Sequence, residues 1–131
     1  MRLLLDTHVT LWAVAADSRL PAKARDLILD PGNMIHVSAA SVWEIAIKHA
    51  LARGVPNDMP VSGQEALVYF EAAGYVLLPI SPQHAAAVEA LPPLHADPFD
   101  RLLIAQALAE PLRLVTHDQT LARYGEPIIY I

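Results

Sequence analysis

Short apolar segments alternate along this chain with longer segments in which apolar residues recur at helical spacing. The short segments predict strands at residues 2–5, 34–38, 75–80, 113–116 and 128–131, because short, continuous apolar segments are typical of strands buried on both faces. The longer segments predict helices at 9–16, 21–29, 41–53, 62–73 and 81–91, a helix from residue 98 onwards and a helical turn at 119–124. Strands that alternate with helices favour an α/β fold with a mainly parallel sheet of four to five strands and helices on both faces. We expect one domain over residues 1–131.

The helix from Pro98 has the clearest start. Asp97 is predicted to be its N-cap, since an aspartate side chain accepts hydrogen bonds from the free N–H groups of a first turn. Pro98 then takes the first helical position, where its missing N–H costs nothing. Asp100 comes at the third position, and four later residues are expected to pack inward: Leu103, Ile104, Ala107 and Leu108. The sequence therefore predicts a carboxylate at the end of a rigid, buried helix.

Composition narrows the classes of function. The net charge of −5 argues against non-specific nucleic-acid binding, because phosphate contacts need a positive surface. A bound divalent cation would supply that charge locally. The chain has no cysteine, which excludes disulfides and thiolate metal sites and fits the cytoplasm. The hydrophobic fraction of 54% is high, so part of the apolar surface is expected to be covered by another chain, with a compact alanine-rich core as the alternative.

Several carboxylates fall at corresponding ends of the predicted elements. Ligands of parallel sheets bind beyond the carboxyl ends of the strands, and the acidic residues expected at this edge are Asp6, Glu44, Asp97, Asp100 and Asp118. Clustered carboxylates repel one another, and a hard divalent cation removes that repulsion. Oxygen ligands suit Mg²⁺ or Mn²⁺, which can activate a water and stabilise the leaving oxygen of a phosphodiester.

Each acidic residue also has a purely structural interpretation. Asp6 could begin a turn, Asp97 and Asp118 could cap helices, and Glu44 could form a capping box with Ser41. Among the other candidates, Thr116 could hold a water or a carboxylate, and Arg101 could contact a phosphate or orient an acid. Three histidines are expected near this edge as supporting or surface groups rather than ligands, namely His8, His95 and His117. Lys48 is expected to form an i,i+4 pair with Glu44.

Four segments resemble those of the PIN-domain ribonucleases, and in particular the VapC-type toxins of bacterial toxin–antitoxin pairs. They are Leu3–His8, Ser38–Lys48, His95–Gln106 and Leu114–Asp118, and the third is the most specific. The resemblance covers nearly the whole chain. It implies an α/β/α sandwich, a Mg²⁺- or Mn²⁺-dependent endoribonuclease site, dimerisation, and an antitoxin that buries apolar surface and blocks the site.

By position, the resemblance assigns the family's acidic residues to Asp6, Glu44, Asp100 and Asp118, and its Ser/Thr position to Thr116. In the family, the third acid precedes a Leu-Leu-Ile-Ala segment, which is Leu102–Ala105 in this chain. The resemblance therefore selects Asp100, and it leaves Asp97 as an auxiliary acid or a cap. The implied reaction is hydrolysis of RNA phosphodiester bonds. Asp6, Glu44 and Asp100 hold the ion or ions directly or through water, and Asp118 completes the pocket.

Two other functions are compatible with parts of this pattern. A phosphotransfer or phosphatase site would use Asp6 as nucleophile. It is disfavoured because His8, rather than an acid, is the second residue after Asp6, and because Lys23 and Lys48 are the only lysines. A non-enzymatic interaction module would use its acids only as helix caps and its apolar surface for a partner.

Overall fold

In the computed structural model, which describes residues 1–131, five strands form one parallel sheet. The strands are β1 (Arg2–Leu5), β2 (Met34–Ser38), β3 (Val76–Leu78), β4 (Arg113–Thr116) and β5 (Ile128–Tyr130). The helices are α1 (Thr7–Val14), α2 (Ala22–Leu29), α3 (Ala39–Ala50), α4 (Gly63–Ala72), α5 (Pro82–Ala87), α6 (Pro98–Ala109) and α7 (Gln119–Ala122). A 3₁₀ turn follows α5 at Val88–Ala90. No helix is long and apolar enough to cross a bilayer.

The strand order β3-β2-β1-β4-β5 puts β1 at the centre of the sheet. From β1 the chain adds β2 and β3 on one side, and it later adds β4 and β5 on the other side. The carboxyl ends of β1 and β4 therefore meet at the point where the direction of winding reverses. Open parallel sheets bind their ligands at such a point.

Helices cover both faces of the sheet, which confirms the predicted three-layer α/β/α sandwich. Along β1, Leu3 and Leu5 pack in a cluster with residues of α1 and α2, while Leu4 packs on the opposite face with residues of α6. All three leucines are fully buried. A third cluster joins β2 to α3 and α4 and is centred on Phe70. β1 is thus buried on both faces, as its continuous apolar sequence predicts.

Two predicted helix starts are confirmed. Asp97 caps α6, with its side chain accepting the N–H of Phe99, and Pro98 is the first residue of that helix. Ser62 and Glu65 form a reciprocal capping box at the start of α4. In both cases the cap and its partner lie within one turn, so the local sequence determines the start.

The predicted start of α3 is wrong. Ser38, the last residue of β2, accepts the N–H of Ala40 and caps the helix, which begins at Ala39. Ser41 is therefore not the cap, and Glu44 lies in the second turn rather than the first. The capping-box interpretation of Ser41 and Glu44 is excluded, because Glu44 is too far into the helix to reach a free N–H.

Smaller differences have local causes. β3 ends at Leu78 instead of residue 80 because Pro79 has no N–H to donate to a neighbouring strand. Leu108 is exposed on α6, while Gln106 is fully buried in its place. The Gln106 amide makes this possible, since its Oε1 accepts the Ser38 hydroxyl at 2.5 Å and its Nε2 donates to the Pro79 carbonyl.

Candidate metal centre

A polar cavity of about 220 Å³ opens at the carboxyl ends of β1 and β4. Its lining consists of Asp6, Thr7, His8, Glu44, Lys48, His95, Asp97, Asp100 and Asp118, with no hydrophobic residue. All five carboxylates that were expected at this edge therefore line one cavity, although they come from five separate positions along the chain.

Asp6 is buried directly after β1 and has both carboxylate oxygens occupied. Its Oδ1 accepts the N–H of Val9, which caps α1, and its Oδ2 accepts the hydroxyl of Thr116 at 2.5 Å. Burial raises the pKa of Asp6, and the hydrogen bonds from Thr116 and Val9 oppose that rise only in part. A nearby positive charge would stabilise the ionised form.

Thr116 holds the Asp6 carboxylate and also accepts the N–H of Asp118 through its Oγ1, at 3.1 Å. We expect Thr116→Val to lower the free energy of unfolding of the metal-free protein by about 1.5–3 kcal/mol, because a hydrogen bond to a buried charged group is lost without replacement. Urea denaturation in mildly alkaline EDTA buffer measures this change. Thr116→Ser is the matched control, since it keeps the hydroxyl, and unfolding of the valine variant at the same urea concentration as the serine variant would contradict the prediction.

Glu44 extends from α3 into the cavity, and two contacts hold its carboxylate there. Its Oε1 accepts the hydroxyl of Thr7 at 2.7 Å, and its Oε2 lies 2.6 Å from the Nζ of Lys48 one turn later. Thr7 directly follows Asp6, so the first residue of α1 orients the carboxylate of a different helix. Glu44 is 4% exposed, and the expected pair with Lys48 is formed.

Asp100 points from the first turn of α6 towards His95, whose Nε2 lies 2.8 Å from its Oδ2. The pKa of Asp100 is raised to about 6, mainly by burial; the hydrogen bond to His95 opposes this rise, and the charges of Asp97 and Asp6 add to it. The Asp97 carboxylate caps α6 and also lines the cavity. Asp97 therefore acts as the helix cap, and its charge is felt by Asp100.

Asp118 completes the opposite wall. Its Oδ1 accepts the N–H of Thr120 and caps α7, and its Oδ2 lies 3.9 Å from the Nε2 of His95. One possible ligand atom from each of His95, Asp100 and Asp118 lies within 4.8 Å of the other two. His95 thus lies at the edge where the sequence predicts it, and its Nε2 is close to two of the carboxylates.

Arg101 does not line the cavity, and its guanidinium has no hydrogen bond or ion pair with Asp97 or Asp100. Its guanidinium donates to backbone carbonyls of residues 88–95 and lies near the hydroxyl of Tyr124. Arg101 therefore makes no side-chain contact with an acid of the cavity, and whether it orients one through other residues stays a prediction. His117 also points elsewhere, with its Nδ1 at 2.6 Å from the carbonyl of Ile131.

The donor set fits a hard divalent cation. Five carboxylates face the ammonium of Lys48 and two imidazoles across a cavity without apolar lining. The pKa values of Asp6 and Asp100 are raised because these carboxylates are desolvated close to other negative groups. Oxygen-rich sites of this kind suit Mg²⁺ and Mn²⁺. Such an ion would stabilise the ionised form of these buried carboxylates.

A second cavity of about 860 Å³ adjoins the acidic one, since His8 and Lys48 line both. Its wall combines apolar residues such as Trp12, Met59 and Val61 with the charged residues Asp17 and Arg19. Arg19 pairs with Asp17 at 2.7 Å and lies over the ring of Trp12. The acidic cavity is thus continuous with a larger and more apolar surface.

Comparisons with known proteins agree with this architecture. The family model described as PIN domain matches residues 3–127. Ribonuclease VapC22 of Mycobacterium tuberculosis is 33% identical over 127 residues, which covers 95% of this chain and 92% of the relative. The solved structure of VapBC2 from Rickettsia felis, bound to a DNA fragment from their promoter, has a TM-score of 0.69 at 17% identity and covers 100% of this chain and 98% of its own. A toxin–antitoxin complex from Klebsiella pneumoniae has a TM-score of 0.63 at 18% identity, with coverage of 97% and 95%.

Proposed function

The chain belongs to the PIN-domain family, and from this premise we propose that it is an endoribonuclease that acts as the toxin of a toxin–antitoxin pair. It hydrolyses RNA phosphodiester bonds at a centre in which Asp6, Glu44, Asp100 and Asp118 hold a divalent cation. The observation that supports this proposal most strongly is the gathering of these four carboxylates in one cavity of about 220 Å³. The 33% identity to a ribonuclease supports the same reaction.

The chain's net charge of −5 makes a cation necessary for RNA binding at this site. A phosphate group brought near five carboxylates would be repelled. A divalent cation supplies Lewis-acid stabilisation of the phosphate and a route to a nucleophile from water at neutral pH. We propose Mg²⁺ or Mn²⁺, because the acidic ligands are all oxygen donors.

Residues in and beside the cavity keep the carboxylates in place. Thr116 fixes Asp6, and Thr7 and Lys48 fix Glu44 from two sides. Asp97 holds the start of α6 and so sets the direction of Asp100. Because these side chains are already held by hydrogen bonds, little rearrangement is needed when the site binds a cation and its substrate.

Partners follow from the surface around the site. We propose that a cognate antitoxin covers the larger cavity beside the acidic one and blocks access to it, as the similar toxin–antitoxin complexes suggest. We propose a homodimer as well, since Trp43, Ile47 and Leu51 are exposed along one side of α3. The substrate is RNA, the domain spans residues 1–131, and the site of action is the cytoplasm.

An RNA-cleavage assay with the chain purified free of any partner tests this function. We expect cleavage in Mg²⁺ or Mn²⁺, none in EDTA, and recovery of cleavage when excess Mn²⁺ is added back. The cognate antitoxin would be sought as the product of the neighbouring gene that co-purifies with this chain, and its addition should suppress the activity. Cleavage that is unaffected by EDTA, or the absence of cleavage with either metal, would contradict the proposal.

A further inference from the structure

Arg101 contacts five oxygen atoms and no carboxylate. Its Nη1 lies 3.1 Å from the carbonyl oxygen of Pro92 and 3.3 Å from that of His95, and its Nη2 lies 3.1 Å from that of Val88. The carbonyl of Leu91 and the hydroxyl of Tyr124 complete the set. Although Arg101 directly follows Asp100 in the sequence, it forms no ion pair with that residue. Its role is therefore not to neutralise the acidic cavity.

The oxygens that Arg101 contacts belong mainly to the segment between α5 and α6. This connector, residues 88–97, has no regular structure after the 3₁₀ turn, and its two prolines cannot donate backbone hydrogen bonds. The hydroxyl of Tyr124 donates to the Pro92 carbonyl at 2.8 Å, from the other side. The guanidinium fork and the tyrosine thus supply the hydrogen bonds that the connector does not form within itself.

His95 lies on this connector and points into the acidic cavity. Its backbone carbonyl accepts from Arg101, and its Nε2 contacts the Oδ2 of Asp100 at 2.8 Å. Arg101 and Asp100 are neighbours on α6. The contacts therefore form a closed ring, from Asp100 to Arg101 along the helix, from Arg101 to the His95 carbonyl, and from the His95 ring back to Asp100. A shift of the connector would move the His95 ring away from the carboxylate.

We propose that Arg101 is a positioning residue of the metal centre: it fixes the connector, so that His95 holds the Asp100 carboxylate in the orientation that binds the cation. This inference rests on the proposed function, since it concerns the same centre. Groups that orient metal ligands change metal affinity by about 10- to 100-fold when they are removed. Lysine cannot replace the arginine here, because a single ammonium cannot reach carbonyls on both sides of a planar fork.

Titration calorimetry with Mn²⁺ tests the inference on Arg101→Lys, which keeps the charge. We expect the variant to bind Mn²⁺ at least about tenfold more weakly than the unaltered chain. The direction of the change in Mn²⁺ affinity is informative. Electrostatics alone predicts no weakening, because a lost positive charge would strengthen cation binding and the charge that lysine retains would leave it unchanged. Arg25→Lys on the exposed face of α2 is the control and should bind as the unaltered chain does.

A double-mutant cycle shows whether Arg101 acts through His95. We expect His95→Ala to weaken Mn²⁺ binding to a similar extent, and Arg101→Lys to add no more than about twofold in that background. The inference would be overturned if the fold-losses of Mn²⁺ affinity from the two changes multiplied in the double variant. It would also be overturned if Arg101→Lys bound Mn²⁺ as tightly as the unaltered chain. If Arg101→Lys does not fold by circular dichroism, Tyr124→Phe replaces it in the cycle, since it removes one hydrogen bond from the same connector.

The same titration separates this inference from the proposed function. If the unaltered chain binds no Mn²⁺ and cleaves no RNA, the proposed function fails and the inference fails with it. If the unaltered chain binds Mn²⁺ and cleaves RNA while Arg101→Lys does both equally well, only the inference fails.

Discussion

Replacing Asp6 by Asn is expected to lower the rate of metal-dependent RNA cleavage by at least about 10²-fold, because a cation at such a site contributes several kcal/mol of transition-state stabilisation. Asp6 lies at the centre of the sheet where β1 and β4 end, and its pKa is raised by burial. The asparagine removes the negative charge that the cation requires. The rate of cleavage of a defined single-stranded RNA in Mn²⁺ measures the effect.

The same variant should keep its fold. Asn caps a helix about as well as Asp, so the bond to the Val9 N–H is retained. The Asn Nδ2 replaces the oxygen that faces Thr116 and can donate to the Thr116 Oγ1, and a buried charge is removed. We therefore expect the metal-free variant to unfold at a temperature no lower than that of the unaltered chain. Asp26→Asn, on the exposed face of α2, is the charge-matched control and should cleave RNA at the normal rate. Equal cleavage by Asp6→Asn and this control would exclude the proposed mechanism.

Asp100→Asn is expected to change stability in opposite directions with and without metal. In the metal-free chain the pKa of Asp100 is about 6, against 3.8 for an ordinary aspartate. Between these pH values the folded state binds more protons than the unfolded state, so the free energy of unfolding falls as the pH rises. After allowance for solvent screening, the free energy of unfolding that is lost across this pH range is about 1–2 kcal/mol. Asp100→Asn has no carboxylate to ionise and avoids this loss, so the variant should be the more stable protein at neutral pH in EDTA.

Saturating Mn²⁺ should reverse that order. A cation that binds only the folded state adds about 2.7 kcal/mol at a concentration 100 times its dissociation constant. The unaltered chain gains this stabilisation, and Asp100→Asn gains little of it. Urea denaturation across the pH range, in EDTA and in Mn²⁺, measures both effects. A variant that is less stable than the unaltered chain under both conditions would show that Asp100 is only a structural residue.

The helix caps explain why the sequence alone left the roles of the acids open. Asp6, Asp97 and Asp118 each cap a helix, and each also lines the cavity. For these residues the structural and the functional interpretations do not exclude each other, because one side chain caps a helix and also faces the cavity. A carboxylate oxygen that accepts a backbone N–H is thereby held in a fixed direction, and the side chain stays oriented at the edge of the sheet.

The order of elements and the location of the site were predictable because they depend on local pattern. Asp6 directly follows β1 and Asp118 comes two residues after β4. The sequence Asp97–Pro98 defines the start of α6 without tertiary information. The start of α3 was not predictable in the same way. Ser38 and Ser41 are both suitable caps, and the end of β2 decides between them.

The contacts that orient the acids depend on packing between distant segments. Thr7 meets Glu44 because α1 lies against α3, and His95 meets Asp100 from the connector that precedes α6. No spacing in the sequence indicates either contact. The sequence therefore assigns Thr7 no role at the cavity, and it places His95 near this edge without indicating its contact with Asp100.

The most direct measurement is an anomalous-scattering map from crystals of this chain grown with Mn²⁺. We predict a Mn²⁺ peak in the cavity lined by Asp6, Glu44, Asp100 and Asp118, and no such peak in crystals of Asp6→Asn grown under the same conditions. An empty cavity at millimolar Mn²⁺, or a peak of equal height in the Asp6→Asn crystals, would show that these carboxylates do not form a cation site.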